Sequence, residues 1–166
     1  MGTMTASAVD ARGLAGALAP AGSLLATRTE VVAVDGAKSL GDLLHGCPTG
    51  LVFSNAEQRL CGMRDDLTGW AGRLAAKLAV ATLLDLEPVA ALRERRDIGL
   101  AHLEVLPDRG DCPDGPGCLG PHPPALHLGS PAFAGVEGRW QLSISHTRSR
   151  AMALVARYSE GTVNLP

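Results

Sequence analysis

Apolar positions along this chain follow two rhythms. Leu67, Trp70, Leu74, Leu78 and Ala81 recur at helical spacing and fall on one stripe. The spacing predicts a long helix from Leu67 to Leu86. Upstream, Ser54 and Glu57 in "FSNAEQRLCGM" have the spacing of a capping box, so a shorter helix starts there. "GAKSLGDLLHGCPTG" (36–50) reads as a glycine-rich mixture of helix and loop, and Pro88 permits a further short helix near "VAALRERR". Elsewhere the rhythm is that of strands. "EVVAVD" (Glu30 to Asp35) is β-branched and reads as the first strand. "GLAHLEVL" (99–106), "ALHLG" (125–129), "RWQLSISHT" (139–147) and "AMALVARYS" (151–159) follow, the last pair separated by "RSR".

Helices gathered in the first half and strands in the second predict an α+β domain. Residues 1–28 read as a weakly ordered tail and 29–160 as a single domain. Within that domain, the Pro/Gly-punctuated segment 107–124 reads as a loop insertion.

Composition narrows the class. The chain has 166 residues, of which 46% are hydrophobic, 19% charged and only 3% aromatic, so it is globular with an aliphatic core. A net charge of −2 provides no basic field to recruit nucleic acid. The apolar run "GLAGALAPAGSLLA" (13–26) is too short and too rich in Ala and Gly to span a bilayer, and it lacks the basic flank of a secretion signal. A cytoplasmic protein with reduced Cys47, Cys61, Cys112 and Cys118 is expected.

Several residues carry candidate chemistry, each with a plain structural alternative. Arg73 and Lys77 lie one turn apart at the edge of the apolar stripe. They are either snorkelling cations beside a buried face or a grip for a diphosphate. His146 either closes a strand or reaches an anionic ligand from the strand end. Asp35 is either a turn residue or a ligand for a hard cation such as Mg²⁺, which needs only one or two protein carboxylates when phosphates complete its shell. Cys112, Cys118, His122 and His127 offer zinc-binding atoms, but their spacing fits no common zinc knuckle and the segment reads equally as a plain loop.

Taken in order, "AVD", "FSNAE", "AGRLAAKLA" and "WQLSISH" resemble the bacterial holo-acyl-carrier-protein synthases, the small 4'-phosphopantetheinyl transferases. Their corresponding segments read G-x-D, F-[TS]-x-x-E, A-x-R-F-A-A-K-E-A and [VW]-x-[VL]-S-[IL]-[ST]-H. The resemblance covers roughly residues 30–158. It implies an antiparallel sheet packed with one long and several short helices, and transfer of phosphopantetheine from coenzyme A to a serine of an acyl carrier protein. By the same resemblance Asp35 is a catalytic Mg²⁺ ligand, and Arg73 and Lys77 contact the coenzyme A phosphates, with Lys77 also catalytic. His146 and Thr147 lie near the nucleotide end. Glu57 has a supporting role through its cap, metal contact being the lesser alternative. It also implies a homotrimer with the site between subunits and a basic docking surface for the carrier, which Arg93, Arg95 and Arg96 could join.

One position departs from the pattern in a way that touches the chemistry. Where the family has Lys-Glu-Ala, this chain has Lys77-Leu78-Ala79. The resemblance makes that glutamate the second metal ligand and the candidate activator of the attacking hydroxyl; leucine can be neither. Asp85 is on the same helical stripe but about 10 Å further along the axis, too far to share one ion. The family's Gly-x-Asp is Ala33-Val34-Asp35 here, and Lys38 adds a cation close to Asp35. The resemblance therefore leaves two activities open: a transferase with an altered metal site, or a repurposed member that binds or processes a carrier- or coenzyme A-linked intermediate.

Overall fold

The structure is a computed structural model that describes residues 22–62, 66–84, 99–108, 122–128, 133, 136 and 138–159. Its strands are β1 (Leu24–Ala33), β2 (Glu104–Pro107), β3 (Pro124–His127), β4 (Arg139–His146) and β5 (Arg150–Tyr158). Its helices are α1 (Leu40–Leu43), α2 (Thr49–Val52), α3 (Asn55–Gly62) and α4 (Leu67–Leu83). The architecture is α+β, as expected, with two antiparallel sheets: three strands in the order β1-β5-β4, and the pair β2-β3.

β5 is central because its inward face is small and apolar. Ala151, Ala153 and Val155 are buried, alternating with exposed Arg150 and Met152. Helix α4 packs on this face, contacting β5, β1 and β4. The approach is close: a Cβ added to Gly72 would lie 2.7 Å from Cγ2 of Ile144 on β4. Ala75 and Ala76 are likewise fully buried beside Ala153 and Val105. On its other side α4 meets α1 and the loops before it, where Phe53 and Trp70 pack edge to face with centroids 4.6 Å apart. The helix is thus buried nearly all round, which its two charges in 17 residues allow.

The local signals place the helix starts. Ser54 and Glu57 form the reciprocal box, Glu57 N–H to Ser54 Oγ at 3.3 Å and Ser54 N–H to Glu57 Oε2 at 2.9 Å. Asp66 caps α4, its Oδ1 accepting from the Thr68 amide at 2.9 Å.

Four boundaries differ from the sequence reading. β1 begins at Leu24, inside the stretch expected to be tail, because β5 supplies a partner along its whole length, from Leu24↔Tyr158 to Ala33↔Arg150. It also stops at Ala33, which leaves Asp35 in the following turn. The expected strand at 99–106 opens instead with a 3₁₀ turn (Leu100–His102), and only then becomes β2. Helix α4 ends at Leu83; the expected helical piece near 89–96, with Arg93, Arg95 and Arg96, lies outside the described residues. Most of the 107–124 insertion, including Cys112 and Cys118, also lies outside them.

Candidate functional site

A pocket of about 710 Å³ opens between the end of β1, α1 and α4. Its walls are largely apolar, with Val31, Val32, Leu43, Leu44, Leu74 and Leu78 among them; Asp35, Asp42 and His45 are its titratable residues. Asp35 and Leu78, remote in sequence, therefore line one cavity. Leu78, where the resemblance expects a glutamate, thus borders the same space as Asp35.

The β4–β5 turn holds Asp35 in place. Val34 N–H and Asp35 N–H both donate to the Ser149 carbonyl, at 2.7 and 3.3 Å. That turn is tightened by Thr147, whose Oγ1 accepts from the Ser149 and Arg150 amides at 3.3 and 3.2 Å. His146, exposed at the end of β4, pairs with Ala151, which in turn pairs with Val32. The end of β1, His146 and Thr147 thus share one end of the sheet, with β5 between β1 and β4. Two strand spacings, roughly 10 Å, separate the β1 and β4 backbones there. His146 also stands near the α4 N-terminus, where its charge adds to the forces that hold the Asp66 carboxyl below its ordinary value; the Thr68 hydroxyl is the largest of these.

Arg73 is half-buried and turned toward β2. Its Nε donates to the Val105 carbonyl at 3.2 Å and its Nη1 to the Gly69 carbonyl at 3.1 Å. It does not line the pocket that holds Asp35.

Lys77 requires a correction. As a catalytic or phosphate-binding residue it would have to present its ammonium to a ligand, but it is 0% exposed. Its Nζ donates to Glu57 Oε2 at 2.6 Å, to the Val52 carbonyl at 2.8 Å and to the Leu100 carbonyl at 2.9 Å. Those three acceptors take up all three ammonium hydrogens. Burial pushes the Lys77 pKa below 10.5, and the Glu57 charge and hydrogen bond push the other way. Glu57 is equally committed: Oε2 takes Lys77 and the Ser54 amide, and Oε1 takes the Val105 amide at 2.9 Å. It too is 0% exposed, so it is a structural anchor and offers no oxygen to a metal. Of the two cations that spacing placed together, only Arg73 reaches solvent.

Asp42 is the pocket residue that the sequence reading missed. Its Oδ2 accepts the Lys38 amide at 2.9 Å, and its own amide donates to Ser39 Oγ at 3.2 Å, closing the N-terminus of α1. Those bonds, the Lys38 amide first, hold its carboxyl below 3.8 and therefore ionised. The Ser39-x-x-Asp42 spacing carries the local signal of a cap; that the same carboxylate joins Asp35 depends on how α1 packs.

These residues fit a divalent cation poorly. Asp35 is an exposed carboxylate, and Asp42 already serves as a cap. Leu78 presents hydrocarbon, an unfavourable neighbour for a hydrated ion. Among the described residues, no group of three or more His, Cys, Asp and Glu side chains is arranged to hold a metal. Of the zinc candidates inside the described residues, His127 is exposed on β3 opposite Glu104, and His122 has a buried Nε2 with no hydrogen-bond partner.

With the elements and site in place, the arrangement can be compared with known proteins. No protein-family model matches the chain, and no curated protein matches it. Solved structures do. The chain is similar to the coenzyme A complex of ACPS from Chronobacterium ammoniagenes, with 28% identity and a TM-score of 0.52 over 82% of this chain and 100% of that one. A holo-[acyl-carrier-protein] synthase from Helicobacter pylori, in complex with coenzyme A, superposes with a TM-score of 0.53 at 16% identity, covering 80% of this chain and 99% of that one. The holo-ACP-synthase from Plasmodium yoelii gives 0.55 at 14%, covering 82% and 96%. The fold is therefore that of the 4'-phosphopantetheinyl transferases. Within that class, it is the holo-acyl-carrier-protein synthase type.

Proposed function

We propose that this protein recognises coenzyme A and an acyl carrier protein but has given up Mg²⁺-dependent phosphopantetheine transfer. In this reading it binds or processes a carrier- or coenzyme A-linked intermediate. The observation that carries the proposal is the pocket shared by Asp35 and Leu78. The fold supports the ligand class, since two of the similar structures are coenzyme A complexes. The pocket supports the loss of transfer, because catalysis at phosphorus depends on positioning and on neutralising charge. Here a leucine faces the one exposed carboxylate that the resemblance assigns to metal, and Lys77 is consumed by Glu57.

In this proposal Arg73, His146 and Thr147 remain the contacts for the phosphates and nucleotide of coenzyme A. The protein works in the cytoplasm as a homotrimer. The outer face of the three-stranded sheet supports self-association: Val31 and Met152, paired across β1 and β5, are 54% and 44% exposed. Among the described residues, no helix is long and apolar enough to cross a membrane.

The test is incubation with an apo acyl carrier protein, coenzyme A and a broad range of Mg²⁺, read by intact mass. The carrier is expected to keep its apo mass while coenzyme A binds by calorimetry. A gain of the phosphopantetheine mass would overturn the proposal. One observation favours a second reading, a working transferase: Asp42 lines the same pocket as Asp35 and is ionised. That reading requires the mass gain and its loss in Asp42→Asn.

A further inference from the structure

The pocket beside Asp35 has a chemical character of its own. Hydrocarbon from three elements lines it: Val32 from β1, Leu43 from α1, and Leu74 and Leu78 from α4. Its titratable members are Asp35, Asp42 and His45, two of them carboxylates, and Asp42 is held ionised by the Lys38 amide and Ser39. A diphosphate would bring further negative charge toward these two carboxylates, over walls that cannot solvate it. A neutral group with amide N–H donors and a hydrocarbon end meets both features. The carboxylates accept its hydrogen bonds, and the leucines and Val32 cover its chain. The volume, about 710 Å³, is in the usual range for a small-molecule pocket.

We infer that this pocket holds the acyl end of an acyl-pantetheine thioester, the neutral part of an acylated coenzyme A or acylated carrier, and that Leu78 is its specificity-determining residue. The inference rests on the proposed recognition of coenzyme A or carrier, and it names the ligand class of the pocket. Where a glutamate would organise charge around a phosphate, Leu78 makes a wall for carbon. Binding here breaks and forms no covalent bond.

Calorimetry on the full chain tests this with three probes: pantetheine, octanoyl-pantetheine and coenzyme A. Octanoyl-pantetheine is expected to bind at least about ten-fold tighter than pantetheine, the gain from burying roughly two methylenes. Mg²⁺ is expected to change neither affinity. Leu78→Glu should erase the octanoyl advantage, while Leu78→Met, which keeps the hydrocarbon, should retain it; both variants are checked for native circular dichroism. Equal affinity for pantetheine and octanoyl-pantetheine would overturn the inference, as would an octanoyl advantage that survives in folded Leu78→Glu. If coenzyme A binds but the octanoyl chain adds nothing, the inference alone falls. If none of the three probes binds, the proposed recognition falls and the inference with it.

Discussion

Lys77 and Glu57 meet as a fully buried ion pair, Nζ to Oε2 at 2.6 Å, that joins α4 to α3. Through the Val52, Leu100 and Val105 main chain the same pair also ties in α2, the 3₁₀ turn and β2. Five elements are thus fastened at one point beneath the Phe53 ring, whose centroid lies 5.2 Å from Nζ. Removing one partner strands a charge in the core. Lys77→Met and Glu57→Gln should each cost about 3–5 kcal/mol in urea unfolding. The double variant Glu57→Gln with Lys77→Met should lose less than the sum of the two single losses. If Lys77→Met unfolds at the wild-type urea midpoint, the pair does not hold the fold.

A carboxylate introduced at position 78 should create affinity for a divalent ion. In Leu78→Glu, the new carboxylate would share the pocket with Asp35. Mg²⁺ at about 100 times its dissociation constant should then stabilise the variant by about 2.7 kcal/mol, while leaving the natural chain unchanged. Thermal unfolding with and without Mg²⁺ measures this directly. The same variant should also gain phosphopantetheine transfer in the intact-mass assay.

The contact between α4 and β4 leaves no room for a methyl group. Gly72→Ala places a Cβ 2.7 Å from Cγ2 of Ile144, a branch atom close to the backbone that cannot swing aside. Overpacking should cost about 1–3 kcal/mol. Ile144→Ala in the same chain should recover part of that loss, a coupling that a double-mutant cycle in urea would quantify.

Asp66 predicts a specific loss of stability in acid. The Thr68 hydroxyl, then the Thr68 and Gly69 amides and the His146 charge, lower its folded pKa below the ordinary 3.8. Its contribution is therefore present above 3.8 and lost as pH falls through the lower, folded value. Asp66→Asn keeps an acceptor at the cap but removes the titration. The stability difference between the natural chain and Asp66→Asn should shrink as pH drops below 3.8. Asp66→Ala should cost about 1 kcal/mol at neutral pH through loss of the cap.

Self-association through the outer sheet face should be sensitive to charge. Met152→Lys places a cation directly opposite Val31 in the β1–β5 ladder. In mass photometry the natural chain should appear at three times its 17.1 kDa mass, and the variant should shift toward the monomer. Identical mass distributions for both would rule this face out as the interface.

Much of this molecule is local. The Ser54–Glu57 box and the Leu67–Ala81 stripe need only neighbouring residues, and both appear in the structure where their spacing puts them. The order of the four family-like segments was enough to identify the fold. It also singled out Leu78, because a substitution is visible against a pattern without any coordinates.

Tertiary packing decided what spacing could not. Arg73 and Lys77 look equivalent on a helical wheel, four residues apart in one amphipathic edge. Packing on both sides of α4 separates them, Arg73 toward β2 and solvent, Lys77 into a cage of three acceptors drawn from elsewhere in the chain. The start of β1 at Leu24 likewise depends on β5, more than a hundred residues away. Asp42 enters the pocket of Asp35 only because α1 folds against α4. In each case the deciding partner is distant in sequence. Sequence by itself determined the Ser54–Glu57 cap, the apolar stripe of α4 and the fold, and it set Leu78 apart from the pattern that the chain resembles. Which charges are buried, and which side chains share a cavity, was set by long-range contacts, because desolvation and cavity shape depend on every segment that closes around a group.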